Sequence, residues 1–147
     1  MAGFLVDTNI LVYAYDERDG TKRARCTQVL ELLGDHGAGV LTAQVLGEFF
    51  NTVTRKIPTP LTLAEAEASV TGLALSWPVL ELNYTCVLEA TRAVQRYDMP
   101  YWDALIWACA KLNDVPVVLS EDFNAGALIE GVRFLNPIPA AFDLDAL

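Results

Sequence analysis

Histidine is almost missing from this chain. The one present, His36, stands in the glycine-bounded stretch Gly34-Asp35-His36-Gly37 and reads as a solvated loop residue. Two-histidine acid/base chemistry, Ser-His-Asp triads and HExxH zinc sites are excluded by that count. Cysteine is scarce as well. Cys26, Cys86 and Cys109 are odd in number, far apart and set in apolar helical patterns, so they form neither a CxxC redox pair nor a zinc knuckle. They read as reduced core cysteines of a cytoplasmic protein. No uncharged run reaches the ~18 residues of a membrane span. No basic region precedes an apolar segment at the N-terminus, so no signal peptide is expected. Basic residues are outnumbered, with 10 Lys and Arg against 19 Asp and Glu for a net charge of −9. That balance argues against holding a nucleic acid by overall charge. A polyanionic substrate would have to be met by bound cations or by a local basic patch.

What is present is apolar and regularly punctuated. Hydrophobic residues make up 53% of the 147 and charged ones 20%, which suits a single α/β domain over residues 1–147 whose sheet is covered on both faces. Phe4-Leu5-Val6 is a short apolar run of the kind that fills a strand buried on both faces, and it ends at Asp7. Thr8 and Asn9 are natural caps for a helix over Ile10 to Tyr15. A second helix is predicted over Thr21 to Leu33, stopped by Gly34. Val40-Leu41 forms a strand, and Thr42 caps an amphipathic helix from Ala43 to Arg55. Thr62-Leu63-Ala64-Glu65 is a capping box that opens a helix to about Leu75. Strands follow at Val79 to Leu82, Pro116 to Leu119 and Arg133 to Leu135. Between the first two of these lie helices from Asn83 to about Tyr97 and from Trp102 to Asn113. Strands alternating with helices give a mainly parallel sheet of about five short strands between helical layers.

Asp7 and Asp122 both follow buried strands, so they belong at the same edge of the sheet, where ligands of open α/β folds bind. Asp103 falls in the first turn of its helix, and Glu48 lies one turn into the helix after the second strand. Taken singly, each has an ordinary structural explanation. Asp7 caps the next helix, Asp103 complements a helix dipole, Glu48 pairs with Arg55, and Asp122 caps a turn with Ser120 and Asn124. Taken jointly, carboxylates sharing one cleft repel by roughly 4 kcal/mol per pair at ~4 Å. They need protons or a cation to be tolerated. Oxygen donors without Cys or His select a hard ion, Mg²⁺ or Mn²⁺. Such an ion binds a phosphodiester and activates water with no histidine involved.

Four stretches carry a resemblance. Leu5-Val6-Asp7-Thr8-Asn9-Ile10-Leu11-Val12-Tyr13, Thr42-Ala43-Gln44-Val45-Leu46-Gly47-Glu48-Phe49-Phe50-Asn51, Tyr101-Trp102-Asp103-Ala104-Leu105-Ile106 and Leu119-Ser120-Glu121-Asp122-Phe123 resemble, in order, the motifs of PIN-domain ribonucleases. Within that family the chain is most similar to VapC-type toxins of bacterial toxin–antitoxin pairs. The resemblance implies a PIN-like three-layer α/β/α sandwich and a Mg²⁺- or Mn²⁺-dependent endoribonuclease. It also implies an acidic quartet of Asp7, Glu48, Asp103 and Asp122 as catalytic residues and metal ligands, with auxiliary polar roles for Thr8, Asn9 and Ser120. The family often has Thr where this chain has Ser120, and the hydroxyl survives. A VapB-type antitoxin, laid in a groove between helices against Tyr13, Tyr15, Phe49 or Phe50, and a homodimer are further implications.

RNA held by a basic rim would meet Arg18, Lys22, Arg23, Arg25, Arg55 or Lys56. A haloacid-dehalogenase-like phosphatase is the alternative enzyme, but it needs Asp two residues after Asp7, where this chain has Asn9. A receiver-like module wants a Lys after the last strand, where Leu135-Asn136-Pro137 stands. A non-catalytic PIN-like interaction domain is the third alternative.

Overall fold

The computed structural model describes residues 3–147. Its elements are β1 (Phe4–Val6), α1 (Thr8–Tyr13), α2 (Gly20–His36), β2 (Gly39–Thr42), α3 (Ala43–Arg55), α4 (Leu63–Ser76), β3 (Val79–Leu80), α5 (Tyr84–Tyr97), α6 (Tyr101–Leu112), β4 (Val117–Leu119), β5 (Leu128–Ile129) and β6 (Val132–Leu135). A 3₁₀ turn at Leu144–Ala146 follows. The helices start where their caps predict. Thr42 accepts from the Val45 N–H, the Thr62 and Glu65 side chains close a capping box, and Asn83 accepts from the Cys86 N–H. α1 begins earlier than the sequence predicts, at Thr8, because Asp7 itself is the cap. α2 passes through Gly34 and ends at Gly37, whose φ of 60° supplies the left-handed residue that stops it. His36 is therefore the last helical residue, and its Nδ1 lies 3.1 Å from the carbonyl of Leu147.

The strands form one sheet in the order β3-β2-β1-β4-β6-β5. All neighbours are parallel except β5 and β6. The sheet thus has six strands rather than five, and the additional one belongs to a hairpin. Glu130 and Gly131 form its two-residue turn with φ of 47° and 85°, both left-handed, as a type I′ turn requires. Glu is a poor residue for that first position, so the sequence gives no hairpin signal there. The Glu130 side chain is instead held by Arg92, Lys111 and the Tyr97 hydroxyl.

The chain runs from β1 outward to β2 and β3, then returns across the sheet to β4. Right-handed crossovers put α1–α4 on one face and α5–α6 on the other. Accordingly α1 packs on α2 and α3, α3 on α4, and α5 along α6. Between the layers lie Leu5, Val6, Leu41, Val45, Phe49, Trp107 and Leu119, all with no solvent exposure. Gly39 is needed by this packing, since a Cβ there would sit 2.0 Å from the Trp77 ring. Among the described residues no helix is long and apolar enough to cross a membrane.

Candidate active site at the switch point

Strand order reverses between β1 and β4, so their C-terminal ends open into a crevice rather than a continuous layer. The Asp7 N–H donates to the Leu119 carbonyl at 2.9 Å, the last rung of the β1–β4 ladder. Beyond that rung the two chains diverge. Asp7 stands on one side of the gap and Ser120 on the other, and the Ser120 hydroxyl donates across it to Asp7 Oδ2 at 2.7 Å. Asp7 Oδ1 accepts from the Thr8 N–H at 2.7 Å. The residue is both a helix cap and the floor of the crevice.

Ser120 uses its full hydrogen-bonding capacity. While donating to Asp7, its oxygen accepts from Asn9 Nδ2 at 3.3 Å and from the Asp122 N–H at 3.2 Å. Asn9 also donates to Asp122 Oδ2 at 3.1 Å and accepts from the Glu121 N–H at 3.3 Å. The first turn of α1 and the segment after β4 are thus laced together by side chains. The segment has no regular backbone structure of its own.

The other two acidic residues come from opposite helical layers. Asp103 sits in the first turn of α6 and is half-buried, while Glu48 lies on the exposed side of α3. Gln44, one turn before Glu48, donates from Nε2 to Glu48 Oε1 and to the Trp102 carbonyl at 3.4 Å, so it bridges the two layers. The electrostatics register the convergence. Burial, opposed by the bonds from Ser120 and Thr8 and reinforced by the charges of Asp103 and Glu48, pushes the Asp7 carboxyl up to about 6. Asp103 is raised by burial and then by the charges of Asp122 and Glu48. Among the described residues no Lys or Arg forms an ion pair with any of the four.

This donor set suits a hard divalent cation. Among the described residues no three of these side chains converge tightly enough to ligate one ion together. A closed protein cage is not what Mg²⁺ demands, however. It keeps several waters and takes one or two carboxylates directly. Four oxygen-bearing acids around an uncompensated crevice, with the hydroxyl of the adjacent Thr8 buried and lacking a partner, fit such an ion and its water shell.

The candidate basic rim fares unevenly. Arg18 is tied to Asp16, Lys22 to Glu121, and Arg23 to Glu17 at 3.7 Å. Arg25 donates to the carbonyls of Pro137, Pro139 and Phe142, so it fastens the C-terminal segment to α2. Arg55 and Lys56 are exposed and make no ion pair among the described residues. The aromatic residues expected to face a partner also divide. Phe49 is a core residue with no exposure, and the ring of Tyr15 packs edge-on against it at 5.2 Å. Tyr13 is bonded to Glu121. Tyr15 remains partly exposed, and with Leu11, Leu30, Leu73 and Trp77 it lines an open apolar cleft of about 330 Å³ between α1, α2 and α4. The residues that sequence reasoning missed are Glu121 and Gln44. Their only signal is adjacency, Glu121 lying between Ser120 and Asp122 and Gln44 one turn before Glu48.

Comparison with known proteins bears on the fold that carries these residues. The chain is similar in structure to a toxin–antitoxin complex from Klebsiella pneumoniae, with a TM-score of 0.66 at 18% identity, covering 93% of this chain and 98% of the other. It is similar to VapC20 of Mycobacterium tuberculosis, a sarcin-ricin loop cleaving toxin, with a TM-score of 0.66 at 18% identity over 88% and 98% of the two chains. A third is DNA-bound VapBC from Salmonella typhimurium, with a TM-score of 0.65 at 19% identity over 93% and 99%. At such identities the likeness is one of fold. Among curated proteins no sequence matches. The family model of the PIN domain, by contrast, matches residues 4–128, a span that holds β1 to β4 and all four acidic residues. The chain belongs to the PIN domain family.

Proposed function

We propose that this protein is a Mg²⁺- or Mn²⁺-dependent endoribonuclease, the toxin of a toxin–antitoxin pair, acting as one domain in the cytoplasm. The observation that carries the reading is the gathering of Asp7, Glu48, Asp103 and Asp122 at the switch point without a compensating cation, two of them held above their ordinary protonation range. Acids kept in mutual repulsion are unfavourable for the fold alone and favourable for binding a cation.

The divalent ion would supply neutralisation of phosphodiester charge and activation of water. Asp7, Asp103 and Asp122 are the residues proposed to hold it, with Glu48 completing the shell directly or through water. Ser120 orients Asp7 through its hydroxyl, and Asn9 orients Asp122, while Gln44 holds Glu48 toward the α6 terminus. Thr8, next to Asp7, has a buried hydroxyl without a partner. Arg55 lies seven residues beyond Glu48, about two helical turns and roughly 10 Å along the same face of α3, where it and Lys56 could meet substrate phosphate.

The test is RNA cleavage by the purified chain. Fragments with 5′-phosphate and 3′-hydroxyl ends are expected in millimolar Mg²⁺ or Mn²⁺, and none in excess chelator. Cleavage that persists undiminished in chelator would sink the proposal. A VapB-type antitoxin is the proposed partner, its apolar segment seated in the cleft lined by Tyr15 and Trp77 and a basic side chain reaching the acidic crevice. Failure to co-purify with the product of the adjacent gene would count against it. A homodimer is proposed as well, and light scattering that shows a monomer at high concentration would refute it.

A further inference from the structure

Glu121 is a fifth carboxylate beside the crevice, and it is the one that faces away from it. Its Oε1 accepts from the Tyr13 hydroxyl and its Oε2 from Lys22 Nζ at 2.7 Å. Lys22 Nζ also lies 3.3 Å from the Tyr13 oxygen and 4.8 Å from the centre of its ring. Three side chains from α1, α2 and the segment after β4 thus close a triangle in which every polar contact is charged or charge-assisted. The Glu121 N–H is simultaneously bound by Asn9 Oδ1. Glu121 is therefore anchored at both its backbone and its side chain, whereas its neighbours Ser120 and Asp122 carry the groups that face the acidic residues.

We infer that Glu121, Tyr13 and Lys22 are positioning residues that fix the Ser120–Asp122 segment against α1, and that Lys22 serves this segment rather than substrate phosphate. Two physical arguments support the assignment. Ser120 is held by its N–H bond to the Leu135 carbonyl at 2.9 Å, but the N–H groups of Glu121 and Asp122 bond only to side chains, so mutual repulsion would push Asp122 outward and the triangle opposes that motion. Lys22 also cancels the charge of Glu121, leaving four rather than five uncompensated acids at the crevice. Lys22 is only partly exposed, at 34% of its side chain, and burial of its stem along the Tyr13 ring directs the ammonium to Glu121.

The inference rests on the ribonuclease reading, and its test separates the two. Mn²⁺ affinity is measured by calorimetry on the full chain, wild type and the variants Lys22→Met, Glu121→Gln, Tyr13→Phe and Lys22→Arg, each checked for cooperative unfolding. Lys22→Met should weaken Mn²⁺ binding on the order of tenfold, the effect of removing a residue that orients a ligand. Lys22→Arg should recover most of it, and Tyr13→Phe should weaken it less. Loss of a cation beside an acidic site would by charge alone tighten Mn²⁺ binding, so the sign of the change distinguishes positioning from simple electrostatics. Binding of a single-stranded RNA oligonucleotide in chelator is measured in parallel as a function of salt. Lys22→Met should leave the salt slope unaltered, whereas a lost phosphate contact would reduce it by about 0.7. Tighter or equal Mn²⁺ binding in Lys22→Met, or the reduced slope, overturns this inference alone. A wild type that binds neither Mn²⁺ nor RNA overturns the ribonuclease reading and this inference with it.

Discussion

The molecule holds two carboxylate clusters in opposite electrostatic states. At the α5–α6 end, Glu89 and Glu130 are interleaved with Arg92 and Lys111, and Glu130 also accepts from the Tyr97 hydroxyl. Those bonds hold Glu130 down to about 2 and lower Glu89 as well. Arg92 and Lys111 in turn lie over the ring of the buried Trp107. At the switch point the acids have hydroxyl, amide and backbone N–H partners but no cation, and Asp7 rises to about 6. The first cluster is complete in itself and serves as a fastener between two helices and a hairpin. The second lacks the charge that would complete it. Acidic residues in proximity are therefore no signature of a site by themselves; what marks one is the missing counter-charge.

The sharpest way to break this contrast is Asp103→Asn. If the crevice binds the catalytic ion, cleavage should fall by on the order of 10²-fold or more, since Lewis-acid stabilisation is worth several kcal/mol. In chelator the variant should be at least as stable as wild type, because one repelling charge is gone. Millimolar Mg²⁺ should raise the melting temperature of wild type more than that of the variant. A residue that merely complemented the α6 dipole would lose ~0.3–1 kcal/mol of stability and leave activity intact. Thermal unfolding beside an RNA cleavage assay decides between them.

Ser120→Ala attacks the same crevice through its hydrogen bonds. It strands the Asp122 N–H, removes one of the two bonds donated by the Asn9 amide and deprives Asp7 of a bond that favours its charged form. Urea unfolding should show a loss of about 1–3 kcal/mol, with reduced cleavage, and Ser120→Thr should restore both. On the opposite cluster, Glu130→Gln removes the charge shared by Arg92 and Lys111. A loss of about 1 kcal/mol is expected for a partly exposed network, with cleavage unchanged.

The remaining effect is in pH, and its sign differs between the clusters. In chelator, the contribution of Asp7 is full below its usual 3.8 and is lost as pH rises through about 6. The contribution of Glu130 is present above its usual 4.5 and is lost as pH falls toward about 2. Melting temperature against pH should thus lose its decline between pH 4 and 6 in Asp7→Asn and soften its acid limb in Glu130→Gln. A wild-type curve that rises steadily from pH 4 to 7 in chelator, unaffected by Asp7→Asn, would contradict the assigned state of the crevice.

Much of this was legible in the sequence, for a local reason. Apolar runs ending in Asp7 and in Ser120-Glu121-Asp122, with caps at Thr42 and Asn83, set the strand–helix alternation, and right-handed crossovers then bring the strand ends to one edge. Asp103 in a first turn and Glu48 one turn into a helix follow from the same punctuation. What stayed hidden depends on partners remote in sequence. Nothing near Glu121 announces Lys22, 99 residues away. The β5–β6 hairpin escapes notice because Glu130 is held in its left-handed conformation by Arg92, Lys111 and Tyr97 rather than by its own preference. Gly34 misled for the opposite reason. A glycine tolerated inside α2 looks like a stop, and the true stop, Gly37, lies three residues on.

The bond from Ser120 to Asp7 joins positions 113 apart. A ribosome extends the chain from its N-terminus, so β1 emerges first and must wait for β4 until most of the protein has been made. Closing so long a loop is a late and slow event in folding. Until it happens, Asp7 faces no Ser120, Asp103 or Asp122, and the mutual repulsion of the acids does not exist. In each nascent chain the acidic crevice is therefore among the last features to assemble, after β4 and the segment that follows it have been made.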